Sequence, residues 1–278
     1  MIKIVTDSGC DVPPDLAQKL DITIIPLYVN IGEKGYREGV DISRETFYAN
    51  LPRYEPYPTT AAPPIGTFTE VYEKLAAAGA DEIISLHIAG SLSNTLNAAR
   101  LGAQETTAAR VVTYDTQQIT LGAGLLVWQA AEMAQAGHSL AEIIAALDER
   151  VPRTRVFGMI DTLDSLRRGG RVSWAEFGIG SLLQIKPVME ISAGEIVVHA
   201  KVRTRKRAIQ KMQTMVAAYR PFERIAILHV NAPEAAAGLR EQSKNLFPEG
   251  ETPIIQDVSP AIGTHLGPGA VGFAAISK

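Results

Sequence analysis

Cysteine is almost absent from this chain of 278 residues: Cys10 stands alone. A single thiol excludes an internal disulfide and any multi-cysteine metal cage, and it fits a reducing cytosol. No run of about 18 apolar residues free of charge occurs, so no membrane span is expected. The opening MIKIVTDSGCD lacks the apolar stretch of a signal peptide, which makes the cytoplasm the expected compartment. Basic excess is missing too. Lys and Arg total 27 against 30 acidic residues, a net charge of −3, which argues against nucleic acid as a partner. The five histidines show no HxxxH or HxxE pairing, so no metal site is expected. Neither a Walker A loop nor a GxSxG serine occurs. Gly267, Gly269 and Gly272 have GxGxxG spacing, but Pro268 sits inside it and the chain ends too soon for a helix to follow.

What remains is an ordinary globular composition, 46% hydrophobic, long enough for two domains or one large one. Over residues 1–152, apolar β-rich runs alternate with helical patterns. IKIVT, ITIIPLYVNI, DEIISLHI and ARVVTYD read as strands. SRETFYANL, PIGTFTEVYEKLAAAG, a stretch from about Ser93, LGAGLLVWQAAEMAQAG and SLAEIIAALDERV read as helices. Ser43 is the first of these caps, and Ser139 with Glu142 has capping-box spacing. Strand–helix alternation predicts a parallel α/β domain. Over 153–278 the pattern changes. TRVFGMID reads as a strand and SWAEFGIGSLLQI as a helix. KPVMEIS and EIVVHAKVR read as a hairpin around Ala193–Gly194, the basic stretch from Thr204 as a helix, and GTHLGPGAVGFAAIS as a loop and strand. This predicts an α+β second domain.

Ligands of open parallel sheets lie beyond the carboxyl ends of the strands. Thr6, Asp7 and Ser8 fall there, as do Asp115 and Thr116, and so does the crowd of Ser91, Ser93, Asn94 and Thr95. Turn chemistry accounts for any one of them, but a helix start needs only one capping hydroxyl. The first N–H groups of a helix lack intrahelical partners and carry partial positive charge, which suits an anion. No Lys or Arg lies between Asp81 and Asn97, so a carboxylate fits better than a phosphate. Thr59 and Thr60, in YPTTAAPPIGTF, which reads as a Pro-rich loop, offer hydroxyls beside small residues. LRRGGRVS places three arginines, Arg171 among them, around two glycines: an exposed basic turn or a site of close backbone approach. KVRTRKRA is a solvated basic face or a surface for an acidic or phosphorylated partner. His265, beside the last glycines in what reads as a loop, is a structural or a contact residue.

Taken in order, TDSGCDVP, PTTAAPP, GSLSNTLNAA, DTLDSLRRGGRVS, KPVMEI, KVRTRKRAI and THLGPGAVG resemble the DegV family of fatty-acid-binding proteins along essentially the whole chain. The resemblance implies an N-terminal parallel-sheet, Rossmann-like domain, a C-terminal α+β domain, and a buried tunnel between them for one long-chain fatty acid. It implies a lipid-binding carrier, not an enzyme, with no cofactor, that presents its acid to a separate fatty-acid kinase subunit for acyl-phosphate formation. It places the carboxylate at Ser93 and Thr60, with Thr59, Ser91, Asn94, His265 and Arg171 around it, and partner docking at Arg203 and Arg205. The family's TTSQPS reads Thr59-Thr60-Ala61-Ala62-Pro63-Pro64 here, and the leading serines of its SSxLSGT are lost. Asn94 or Ser91 is the expected substitute.

Two rival readings carry their own requirements. An esterase or acyl-transferase using Ser93 needs a base beside that hydroxyl, for which His265 is the candidate. A triose-kinase subunit needs a substrate-holding histidine and a nucleotide motif, and neither is apparent.

Overall fold

The computed structural model describes residues 1–170, 185–248, 250 and 252–278. The helix expected over SWAEFGIGSLLQI falls on 171–184, outside the described residues, and Arg171 lies there too.

From the N-terminus the elements are β1 (Ile2–Asp7), α1 (Pro14–Lys19), β2 (Ile22–Ile25), β3 (Tyr28–Ile31), β4 (Lys34–Arg37), α2 (Arg44–Asn50), β5 (Thr59–Ala61) and α3 (Ile65–Ala77). Next come β6 (Glu82–His87), α4 (Thr95–Glu105), β7 (Arg110–Asp115), α5 (Thr120–Gln135) and α6 (Leu140–Arg150). The rest comprises β8 (Thr154–Met159), α7 (Asp164–Gly169), β9 (Lys186–Ser192), β10 (Glu195–Val202), α8 (Arg205–Ala217), β11 (Phe222–His229), α9 (Pro233–Gln242), β12 (Ile255–Asp257), α10 (Pro260–Leu266) and β13 (Val271–Ser277).

The fold is mixed α/β. A four-stranded sheet runs β2-β1-β6-β7, parallel throughout. A six-stranded sheet runs β10-β9-β8-β13-β11-β12 and is antiparallel except for β11 with β12. A small antiparallel sheet, β4-β3-β5, stands apart from both. Helix α5 packs against β1 of the first large sheet and against β8 and β13 of the second. It is apolar nearly all round, as a helix enclosed on both sides must be. Glycine in a helix interior costs about 1 kcal/mol relative to alanine, yet α5 carries two. A Cβ at Gly124 would lie 2.3 Å from the Cys10 carbonyl oxygen, and one at Gly122 would lie 2.4 Å from Val156 Cγ2. The bare backbone lets both layers close onto the helix.

Local signals place most of these elements. Ser139 Oγ accepts from the Glu142 amide at 3.3 Å, while the Glu142 carboxylate accepts from the Ser139 amide at 2.8 Å. Ser139→Ala is therefore expected to cost about 1 kcal/mol. Thermal denaturation should show a fall of roughly 2–4 °C, and an unchanged midpoint would refute the capping role.

Four expectations need correction. ITIIPLYVNI is two strands, not one. Pro26 has no N–H to continue a ladder, and the chain leaves the parallel sheet there to begin β3 of the small sheet. The Thr59 stretch is a strand rather than a loop, paired with β3 at Thr59–Asn30 and Thr60–Val29. Helix α4 begins at Thr95, after a turn that continues past Ser93. His265 sits in the last turn of α10, not in a loop. Ser259 at the N-cap followed by Pro260 is an ordinary helix start, overshadowed in the sequence by the glycines that follow.

Candidate functional site

The carboxyl ends of β1, β6 and β7 meet in a dense hydrogen-bonded scaffold. Asp7 is fully buried and accepts from the Gly9 amide at 3.0 Å, from the Ile88 amide at 3.2 Å and, through Oδ2, from His87 Nδ1 at 2.9 Å. The Thr116 hydroxyl donates to the His87 carbonyl at 2.7 Å. Asp115 accepts from the Gln117 and Gly90 amides. Residues expected at this edge thus do turn chemistry, and they hold the segment between β6 and α4 in a defined path.

That segment lines a cavity of about 490 Å³ with Ser91, Ser93 and Asn94. Thr60 from β5 and His265 from α10 line it too, with aliphatic side chains such as Ile119, Leu266 and Ile196. Thr60 Oγ1 and His265 Nε2 are 2.9 Å apart. Ser93 Oγ lies 2.8 Å from Thr95 Oγ1 and accepts from the Thr95 amide at 3.2 Å, so it does the capping that Asn94 does not. Ser91 donates to the Gly194 carbonyl at 2.5 Å and fastens the β9–β10 hairpin tip to the turn before α4. Five of the expected residues therefore come together. Thr59 does not: adjacent strand residues face opposite ways, and its hydroxyl accepts from Asn30 Nδ2 at 3.3 Å.

His265 is placed by three structures around it. Its ring lies against α7, where a Cβ at Gly169 would come within 2.1 Å of Nδ1. Gly170 then takes the left-handed conformation, φ +66°, that ends α7. Tyr57, which sequence reasoning passed over, donates to the Thr264 carbonyl at 2.8 Å and lies 3.2 Å from Ser165 Oγ, tying the approach to β5 onto α10 and α7. The start of α10 is held by the N-terminal half. Tyr48 donates to the Val258 carbonyl at 2.7 Å, the Asp11 carboxylate accepts from the Ser259 amide at 2.8 Å, and the Glu38 carboxyl accepts from the Ala261 amide at 2.7 Å. Arg44 bridges Asp11 Oδ1, at 3.1 Å, and the Asp257 carbonyl. Burial pushes Glu38 up to about 7, against the pull of the Ser8 hydroxyl, the Ala261 amide and Arg44. Burial also holds Asp11 well above the ordinary carboxylate range, although Arg44 opposes it. No element of this acid cluster was singled out in the sequence.

A base beside Ser93, as an esterase would need, is not what these hydrogen bonds provide: His265 Nε2 is on Thr60 and Ser93 Oγ is on Thr95. A serine–histidine–aspartate chain does occur, but elsewhere. Ser85 Oγ is 2.7 Å from His87 Nε2, and His87 Nδ1 is on Asp7. All three are fully buried, and Tyr72 donates to Ser85 at 2.8 Å. The chain is sealed in the core, where it braces β6 against β1. Among the described residues no group of His, Cys, Asp and Glu is arranged to hold a metal ion, and no helix is long and apolar enough to cross a membrane. Of the basic pair, Arg203 is exposed, whereas the Arg205 guanidinium is partly buried and pairs with Asp161.

Residues 1–278 match the family model described as an uncharacterised protein of the DegV family. A DegV domain-containing protein of Listeria innocua is 36% identical over 275 residues, 98% of this chain and 97% of that one. The fold is similar to that of a DegV family protein from Thermus thermophilus solved for its fatty acid binding, with TM-score 0.91, 34% identity, and coverage of 100% of this chain and 99% of the other. It is similar as well to a stearic acid-binding protein from Eubacterium ventriosum, with TM-score 0.89, 26% identity and coverage of 100% and 99%. A match that runs from the first residue to the last, shared by sequence relatives and by the whole fold, means that this chain belongs to the DegV family.

Proposed function

We propose that the chain is a carrier for one long-chain fatty acid. The acid lies between the parallel-sheet half, residues 1–152, and the mixed-sheet half, residues 153–278, and it is offered to a fatty-acid kinase subunit that forms the acyl phosphate. Its carboxylate sits at Thr60, Ser93 and His265, with Ser91 and Asn94 beside it. Arg171, in the glycine-rich motif of the sequence, keeps the head-group role that the family resemblance implies, and Arg203 with Arg205 forms the docking face. The reading is carried by one observation: hydroxyls from β5 and from the turn before α4, with an imidazole from α10, line the same mainly aliphatic cavity of about 490 Å³. That volume is in the ordinary range for small-molecule sites. The fatty-acid binding described for the similar proteins supports the same ligand class.

Magnitudes divide the labour. Burying about 15 methylenes at roughly 0.8 kcal/mol each contributes on the order of 12 kcal/mol before association costs. A carboxylate near a helix N-terminus contributes roughly 0.3–2 kcal/mol. The chain supplies affinity and the hydroxyls supply orientation. Ser93→Ala is expected to weaken fatty-acid binding by less than about tenfold and to reduce phosphorylation of the bound acid by a larger factor. Binding is read by titration, and transfer by acyl-phosphate formation with the acid saturating. Equal transfer by variant and wild type would remove the orienting role from Ser93. Release of a free fatty acid on denaturation, seen by mass spectrometry, supports the carrier, whereas a covalent acyl adduct on Ser93 would return the esterase.

A further inference from the structure

The inner face of the six-stranded sheet carries a trough next to the head-group cavity. Along β8, Val156 and Gly158 point toward α5 and the N-terminal half, while Phe157 and Met159 pack into the separate core beneath α8 and α9. Across the sheet the register sets Met189, Gly158, Gly272 and Leu228 in one row. Two adjacent glycines in a row of larger side chains leave a groove, flanked by Met189 and Leu228.

The two glycines have different reasons to be there. A Cβ at Gly272 would lie 2.2 Å from the Phe157 carbonyl oxygen, so the backbone itself forbids a side chain. A Cβ at Gly158 would meet nothing nearer than the Val271 carbonyl oxygen at 3.9 Å. Neither close packing nor a positive φ requires glycine at 158. Glycine weakens a strand interior unless something must approach it closely. Gly158 also keeps accessible surface although β8 has strands on both sides. That surface faces a mainly aliphatic space of about 30 Å³, whose walls share Ile119 and Leu266 with the head-group cavity. The space is about one water in size. An acyl tail entering it must turn aside a side chain, and the unbranched Met189 at its edge is suited to that.

We propose that Gly158 is the residue that sets acyl-chain length: the distal methylenes and terminal methyl of a long-chain acid lie over it, and any side chain there shortens the bound tail. This rests on the carrier reading and adds to it the determinant of which acids are carried.

The test compares wild type, Gly158→Ala and Gly158→Leu, each stripped of lipid and titrated with stearate and with laurate. Gly158→Leu is expected to lose about tenfold or more in stearate affinity while laurate affinity changes by less than about threefold. Gly158→Ala is expected to show a smaller shift of the same sign. Without lipid it should be at least as stable as wild type to heat, because alanine at an open strand position costs nothing in packing. A merely structural glycine would move stability and both affinities together. If Gly158→Leu does not fold, the alanine variant decides: weaker stearate binding with unimpaired stability supports the assignment, and unchanged preference overturns it. A wild-type protein that binds neither acid overturns the carrier reading and this assignment with it. A fatty-acid-binding Gly158→Leu with unaltered length preference overturns the assignment alone.

Discussion

Replacing His265 with alanine is expected to reduce phosphoryl transfer to the bound fatty acid by about a hundredfold, with the acid saturating. Its affinity for the acid should fall by roughly tenfold. The asymmetry follows from geometry. The imidazole is fixed against Gly169 and hydrogen-bonded to Thr60 Oγ1 at 2.9 Å, so on the proposed reading it holds a hydroxyl as well as a place at the head group. Removing it releases Thr60 and, on that reading, leaves the carboxylate with fewer donors. A net charge-assisted hydrogen bond contributes about 1.5–3 kcal/mol, small beside the buried chain. Positioning is less forgiving, since a displacement of about 1 Å can cost a hundredfold in rate. His265→Gln retains a hydrogen-bonding group and should recover part of the transfer. The measurement is acyl-phosphate formation by a fatty-acid kinase subunit across a range of fatty-acid concentrations, with a thermal scan to show that α10 is still docked. If saturation with acid restores the wild-type rate, His265 contributes only to affinity and the orienting role is wrong.

Glu38→Gln is expected to make the protein more stable above neutral pH and to flatten its pH dependence. The buried Glu38 carboxyl titrates at about 7 instead of 4.5. Below about 4.5 both folded and unfolded chains hold the proton, and there is no penalty. Between about 4.5 and 7 the unfolded chain releases it first, the native state binds more protons, and stability falls as pH rises. Above 7 the loss is complete, at about 3 kcal/mol. Asp11, raised by the same burial, acts in the same direction. Arg44 opposes the shift, while Asp7 adds to it. Glutamine keeps an acceptor for the Ala261 amide and a polar group for Ser8, and it cannot ionise. At pH 8 the variant should melt roughly 5–10 °C above wild type, and near pH 4 the two should coincide. Denaturation midpoints across that range provide the check, and parallel curves would show that Glu38 titrates as an ordinary carboxylate. The linkage bears on the site as well, because Glu38 holds the first turn of the helix that carries His265.

Most helices and strands of this chain were legible from periodicity and punctuation. Ser43 and Ser139 cap where expected, and the Ala193–Gly194 hairpin turns where expected. The failures share a cause. Pro26 separates two strands that belong to different sheets, and a run of apolar residues does not say which sheet each half will join. The Ser-Pro start of α10 was masked by three nearby glycines that signal turns. Thr59 and Thr60 are indistinguishable as neighbours in sequence, and only pairing with Asn30 and Val29 turns one outward and the other into the cavity.

Caps, turn residues and hydrophobic period are interactions among near neighbours, so the order of elements and the cluster of hydroxyls before α4 could be read directly from the chain. Which groups share the cavity could not. Tyr57 reaches a carbonyl 207 positions away, Thr60 a ring 205 away, and Ser91 a carbonyl 103 away. Such contacts exist only because two sheets close on the same buried helix, and no local pattern encodes the packing that brings those distant ends together.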